Sequence, residues 1–152
     1  MIASLTSCFL SAVAPNLLAE KNWAKLRYQA GTIAVKVNPF DWNTTMTIAG
    51  GAITLNFENR KMIAIRSEDI LSLTYGMTAY RRVSALLAGG DDAQPVPLFG
   101  ILRNDKDHLI GLIFKSSDGS RGALLLMAHK SNYHEILGTL SEVTGKPVEG
   151  TP

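Results

Sequence analysis

Three histidines, one cysteine and a few close-set aspartates are the residues of this chain whose types could do chemistry. Asp105-x-Asp107-His108 offers oxygen and nitrogen donors of the kind a divalent cation takes. Neighbouring residues on a strand point to opposite faces, however, and the calcium-loop pattern with its turn glycine and terminal glutamate is missing, so a solvated turn is the expectation. His129 and His134 bracket the start of a helical pattern, where a polar pair is expected to hydrogen-bond locally; no third donor joins them. Gly89-Gly90-Asp91-Asp92 matches the start of a cyclic-dinucleotide cyclase signature, but no phenylalanine follows and no alternation of strand and helix surrounds it. A single cysteine, Cys8, excludes an intrachain disulfide and any cysteine-rich zinc site. The phosphate-binding loop G-x-x-x-x-G-K-[ST], the dinucleotide fingerprint, G-x-S-x-G and H-E-x-x-H are all absent. The sequence therefore names no catalytic, cofactor-binding or metal-binding residue, and the expectation is a chain that is not an enzyme and needs no cofactor.

The elements that would position any site come next. The chain's 152 residues suit one domain, and 46% hydrophobic against 18% charged residues suits a folded one. A net charge of +2 is too small to neutralise several phosphates, which argues against nucleic acid as a partner. Between residues 26 and 37, Ile33, Val35 and Val37 alternate with Thr32, Ala34 and Lys36. Ile53, Leu55 and Phe57 alternate with Thr54 and Asn56, and that period of two predicts strands with one buried face. Met62-Ile63-Ala64-Ile65 and Ile70-Leu71-Ser72-Leu73-Thr74-Tyr75 continue an antiparallel meander, broken by Glu58-Asn59-Arg60-Lys61 and Ser67-Glu68-Asp69. Leu109 to Phe114 and Ala123 to Met127 flank an Asp118-Gly119 step that favours a hairpin. Both arms are apolar on both faces, so each face must be covered. A helix follows: Ser131 is the expected N-cap, Tyr133, Ile136, Leu137, Leu140 and Val143 keep a 3.6-residue period, and Gly145 with Pro147 ends it. That helix is the expected cover.

The run from Ala52-Ile53-Thr54-Leu55-Asn56-Phe57 through Ser67-Glu68-Asp69-Ile70 to Leu73-Thr74-Tyr75, and the helix end Leu140-Ser141-Glu142-Val143-Thr144-Gly145, resemble bacterial pleckstrin-homology-like (PH-like) and GRAM-like domains of uncharacterised function. The resemblance covers residues 26–146. It implies a mainly β fold of the α+β kind: a small antiparallel barrel or sandwich of six or seven strands capped by a C-terminal helix. It also implies a noncatalytic module that binds lipid headgroups or protein segments. Lipid-binding members carry a Lys and Arg cluster after the first strand; here Asn38-Pro39-Phe40-Asp41-Trp42-Asn43 has one aspartate and no base, so a protein partner or self-association is the expectation and headgroup binding is not. Phe40 and Trp42 are candidates for that contact, as are Tyr80, Arg81 and Arg82 before the long segment 83–102, and Leu98 and Phe99 within it. Two aspartates inside that segment disfavour a membrane span but leave peripheral contact open. The alternatives to a binding module are a structural or assembly protein of the cell envelope that self-associates through 83–102, and a small-ligand hydrolytic enzyme.

Residues 1–21 carry no charged side chain before Glu20. Their apolar run with Ala12-x-Ala14 reads as an export leader, which would place the protein in the periplasm or cell envelope, and Leu5-Thr6-Ser7-Cys8 resembles a lipobox. Ile2, Leu5, Phe9 and Val13 also share one helical face, and a helix docked on the domain would leave the protein cytoplasmic. The organisation expected is 1–21 leader or docked helix, 22–148 one PH-like domain and 149–152 a disordered tail. Asn43-Thr44-Thr45 is a glycosylation sequon if the chain is secreted by a eukaryote.

Overall fold

The computed structural model describes residues 20–89 and 108–150. The expectations for the leader, for Cys8, for Asp91, Asp92, Asp105 and Asp107, and for Leu98 and Phe99 fall outside these residues. The described chain forms strands β1 (Lys21–Gly31), β2 (Thr44–Ala49), β3 (Ala52–Phe57), β4 (Met62–Arg66) and β5 (Ile70–Tyr75), with a 3-10 turn (Ser67–Asp69) between the last two. Helix α1 (Gly76–Ala88), strands β6 (His108–Lys115) and β7 (Arg121–Ala128), helix α2 (Tyr133–Thr144) and the two-residue β8 (Val148–Glu149) complete it. The fold is mainly β with a C-terminal helix, as expected, but the eight strands make one sheet in the order β4-β3-β2-β1-β7-β6-β5-β8 that does not close into a barrel. Every neighbouring pair is antiparallel except β5 with β8.

β1 serves both halves of the sheet. Its first residues pair with β2, Trp23 opposite Met46, and its last with β7, Tyr28 opposite Leu126. The handover occurs at a bulge between Trp23 and Leu26, where Lys25 sits at φ 58°. An extra residue there sharpens the bend, which lets one strand cross from one half to the other. The predicted alternation of Ile33, Val35 and Val37 does point at the core, but these residues follow β1 without joining a ladder. The hairpin between β6 and β7 forms as predicted: Gly119 takes φ 86°, and the Asp118 carboxylate accepts from Ser120 N at 2.9 Å and Ser120 Oγ at 2.5 Å.

The doubly apolar arms β6 and β7 lie between two cores. Their inner side chains, Ile110, Leu112, Phe114, Leu124 and Leu126, join Leu26, Met46, Ile53, Leu55 and Leu73 in the main core, and Ile136, Leu137 and Leu140 of α2 pack into it. The outer ones, Leu109, Ala123, Leu125 and Met127, are covered by Ala79, Val83 and Leu87 of α1. The sequence assigned the outer cover to the final helix; α1 performs it instead, while α2 lies on the inner side. Gly111 makes this close approach feasible, since a Cβ there would stand 3.0 Å from Ala79 Cβ and 2.4 Å from Thr74 Oγ1. α2 ends at Gly145 in the left-handed conformation, as predicted, with its N–H donating to Ser141 O. Its N-cap is Asn132 rather than Ser131, because the Ser131 hydroxyl is held against His129 Nδ1 at 2.7 Å. Asn132 in turn donates its Nδ2 to Ala24 O beside the β1 bulge, tying helix to strand.

Candidate functional site

Three stretches of chain meet where β1 bends. Arg27 comes from β1, Trp42 from the loop that returns to β2, and His129 from the end of β7. The Arg27 Cζ lies 4.0 Å from the centroid of the Trp42 ring, and the indole meets the His129 imidazole edge-on at 5.5 Å between centroids. Arg27 Nη1 reaches Met127 Sδ at 4.0 Å, and its Nε is buried with no hydrogen-bond partner. A guanidinium on an indole face is held by the ring quadrupole and keeps its edge donors for another acceptor. His129 Nδ1 accepts from Ser131 N at 3.1 Å, the local hydrogen bonding expected of it.

The loop carrying Trp42 is locked by Asn43. Asn43 is 3% exposed; its Oδ1 accepts from Tyr28 N at 3.1 Å and from Thr44 Oγ1 at 2.6 Å, its Nδ2 donates to Asn38 O at 2.6 Å, and its own N–H donates to Leu26 O at 3.0 Å. Gln29 adds a bond from Nε2 to Pro39 O at 2.8 Å, and Asn38 Oδ1 accepts from Phe40 N at 3.0 Å. The asparagine of the sequon is thus a buried structural group in the folded chain. With the backbone pinned from beneath, Phe40 stands 66% exposed and Trp42 40% exposed. A loop held on the core and side chains offered to solvent are both present, on different atoms of the same segment.

The other candidates disperse. Tyr80 packs half-buried beside the outer core, Arg81 is exposed, and Arg82 donates to Ser72 Oγ at 2.9 Å and forms an ion pair with Glu149. They lie on α1 and not after a strand, and Arg82 fastens that helix to β5 and β8. Sequence reasoning missed Arg27 altogether and took His129 only as a locally hydrogen-bonded group at the helix start. The sole signal for Arg27 was its place before Tyr28 on a strand, which does not reveal that Asn43 would bring Trp42 over it.

A second aromatic group forms at the start of β6, where His108 lies opposite Ala128. Tyr75 and His108 Nδ1 share a 2.6 Å hydrogen bond, and His108 stacks on Tyr133 at 3.6 Å with the rings 5° from parallel. His134 leans on Tyr133 at 4.0 Å. Burial, aided by the neighbouring Tyr133 phenol, pushes the Tyr75 hydroxyl above its ordinary value, which makes it a poor base or nucleophile at neutral pH. Among the described residues no cluster of His, Cys, Asp and Glu could hold a metal ion, and no helix is long and apolar enough to cross a membrane.

Neither any family model nor any curated protein matches the sequence. Among solved structures, a chain from the structure of the Spt16D Pob3N heterodimer superposes with a TM-score of 0.51 at 8% identity, over 88% of this chain and 54% of that one. This chain thus spans about half the length of the chain it matches. At so low an identity the likeness bears on fold alone, and together with the strand order and the C-terminal helix it supports a PH-like architecture for this protein.

Proposed function

We propose that this protein is a noncatalytic interaction module that holds a protein segment against Phe40, Trp42 and Arg27. The observation that carries the reading is the pinned loop: Asn43 fixes the backbone while Phe40 and Trp42 stand exposed, with the Arg27 guanidinium against the Trp42 ring. Aromatic and arginine side chains dominate the energetics of protein interfaces, and a rigid loop avoids the entropy cost of ordering on binding. The segment that fits has an apolar side chain to lie on Phe40 and Trp42 and an acceptor, a carboxylate or a carbonyl, for Arg27. The Spt16D Pob3N structure is that of a heterodimer, which agrees with a fold used for protein contacts.

The test is to pan the immobilised full chain against a random peptide library and to titrate the selected peptides into the wild type, Phe40→Ala and Trp42→Ala. The expected result is enrichment of apolar and acidic sequences whose affinity falls at least about tenfold with either substitution. An empty selection, or peptides indifferent to both changes, would overturn the reading. Binding to vesicles of anionic phospholipid in place of peptide would do the same.

A further inference from the structure

The two ends of the sheet are treated differently. At one end β5 is covered by β8, with Leu73 opposite Val148 and Thr74 opposite Glu149. At the other end β4 pairs with β3 and, among the described residues, makes no backbone hydrogen bond on its far side. The ladder says which groups face that free edge. Phe57 N donates to Lys61 O at 2.9 Å and Ser67 N donates to Gly51 O at 2.8 Å, so the hydrogen-bonded positions run through 61, 63, 65 and 67. The backbone N–H and C=O of Ile63 and Ile65 therefore point to β3, and those of Met62, Ala64 and Arg66 point outward. Among the described residues this edge carries no proline, no bulge and no covering element; Arg66 is its one charged outward position, and Met62 beside it is 64% exposed.

We infer that the β4 edge pairs with the same edge of a second copy of this chain, antiparallel and with the two-fold axis at Ala64. Charge chooses both the partner and the direction. The segment is basic where it begins, at Arg60-Lys61, and beyond Arg66, which pairs with Glu68 within the chain, it ends on two acidic residues, Glu68-Asp69. Antiparallel self-pairing brings the basic end of each copy to the acidic end of the other, twice by symmetry; parallel pairing would set like charge against like. The register follows from the outward groups. Setting Ala64 opposite its own counterpart places Met62 opposite Arg66 of the other copy and uses all three outward positions, whereas a shift by one would oppose outward groups to inward ones. Ile63, half-buried at the rim of the core, would then lie opposite Ile65 of the second copy and be closed over. This edge uses none of Phe40, Trp42 and Arg27, so its failure would leave the proposed function untouched.

Light scattering of the full chain over a wide concentration range tests the idea, with Ala64→Pro as the decisive variant. The Ala64 N–H faces away from β3, so proline there removes no bond within the fold but deletes the central donor of each copy. The wild type should pass from monomer to dimer with rising concentration, and Ala64→Pro should weaken dimerisation about tenfold or more with unchanged circular dichroism. Glu68→Lys should also weaken it, and adding Arg60→Glu should restore it. In a Cys8→Ser background, Ala64→Cys should form a disulfide-linked dimer on mild oxidation, because facing hydrogen-bonded pairs stand about 5.5 Å apart at Cα, while Thr54→Cys on β3 should not. A monomer at every concentration, a dimer indifferent to Ala64→Pro, or an Ala64→Cys chain that fails to cross-link would each overturn the inference.

Discussion

The Arg27 guanidinium lies flat enough on Trp42 to bring its Cζ within 4.0 Å of the ring centroid, although the two residues belong to a strand and a loop fifteen positions apart. The contact joins the conformation of the exposed loop to the sheet. Trp42→Ala should therefore cost little stability, about 0.5 to 1 kcal/mol for an exposed cation–π pair, while removing most peptide binding. Urea denaturation gives the first quantity and peptide titration the second. Equal, large losses in both would show Trp42 to be a core residue and not a contact.

Asn43→Ala should behave in the opposite way. It leaves the buried Tyr28 N–H without its acceptor and frees Asn38 O and Thr44 Oγ1, and a buried group left unpaired costs about 1 to 3 kcal/mol. The denaturation midpoint should fall accordingly. Proteolysis should then cut near Phe40, which the wild type resists, because the loop has lost the residue that binds it to β1.

How much was legible follows from whether a signal was local. The strands β3, β4 and β5, the hairpin at Asp118-Gly119 and the stop of α2 at Gly145 each rest on a few adjacent residues, and sequence reading found them. Helix α1 was missed because it starts at Gly76, at φ 67°, directly from β5 and without a side-chain cap. Its buried stripe of Ala79, Val83 and Leu87 has the helical spacing, but two of the three are small and read as loop filler. They are small because α1 lies almost against β6. The candidate site was half legible: Phe40 and Trp42 stand out as aromatics in an uncharged loop, but Arg27 and His129 join them only through pairing of β1 with β2 and β7, which no local pattern encodes.

That close packing makes Gly111 a sensitive position. A Cβ there would meet Thr74 Oγ1 at 2.4 Å and Ala79 Cβ at 3.0 Å, with rigid backbone behind both. Gly111→Val should push α1 off β6 and cost about 1 to 3 kcal/mol by overpacking, seen as a lower melting temperature. Gly138, whose Cβ would meet nothing, should accept alanine with no loss and a small gain from helix propensity. If both substitutions had the same effect, the helix would not be seated on the strand as described.

Tyr28 predicts a weakness at alkaline pH. Burial pushes its hydroxyl well above the ordinary value of 10.0, and the proton is donated to Ile33 O at 2.8 Å. The folded chain thus keeps the proton that the unfolded chain gives up. The stabilising difference is complete below pH 10, the unfolded value, and is lost as the pH rises from there toward the folded value. Across that interval stability should fall by about 1.36 kcal/mol per pH unit from this group alone. Tyr28→Phe deletes the titrating hydroxyl while keeping the ring that meets Phe57 edge-on at 5.4 Å. Urea midpoints measured from pH 8 to pH 12 should decline more steeply in the wild type than in Tyr28→Phe above pH 10; parallel curves would mean that the phenol is solvated and that the segment holding Ile33 does not seal the core.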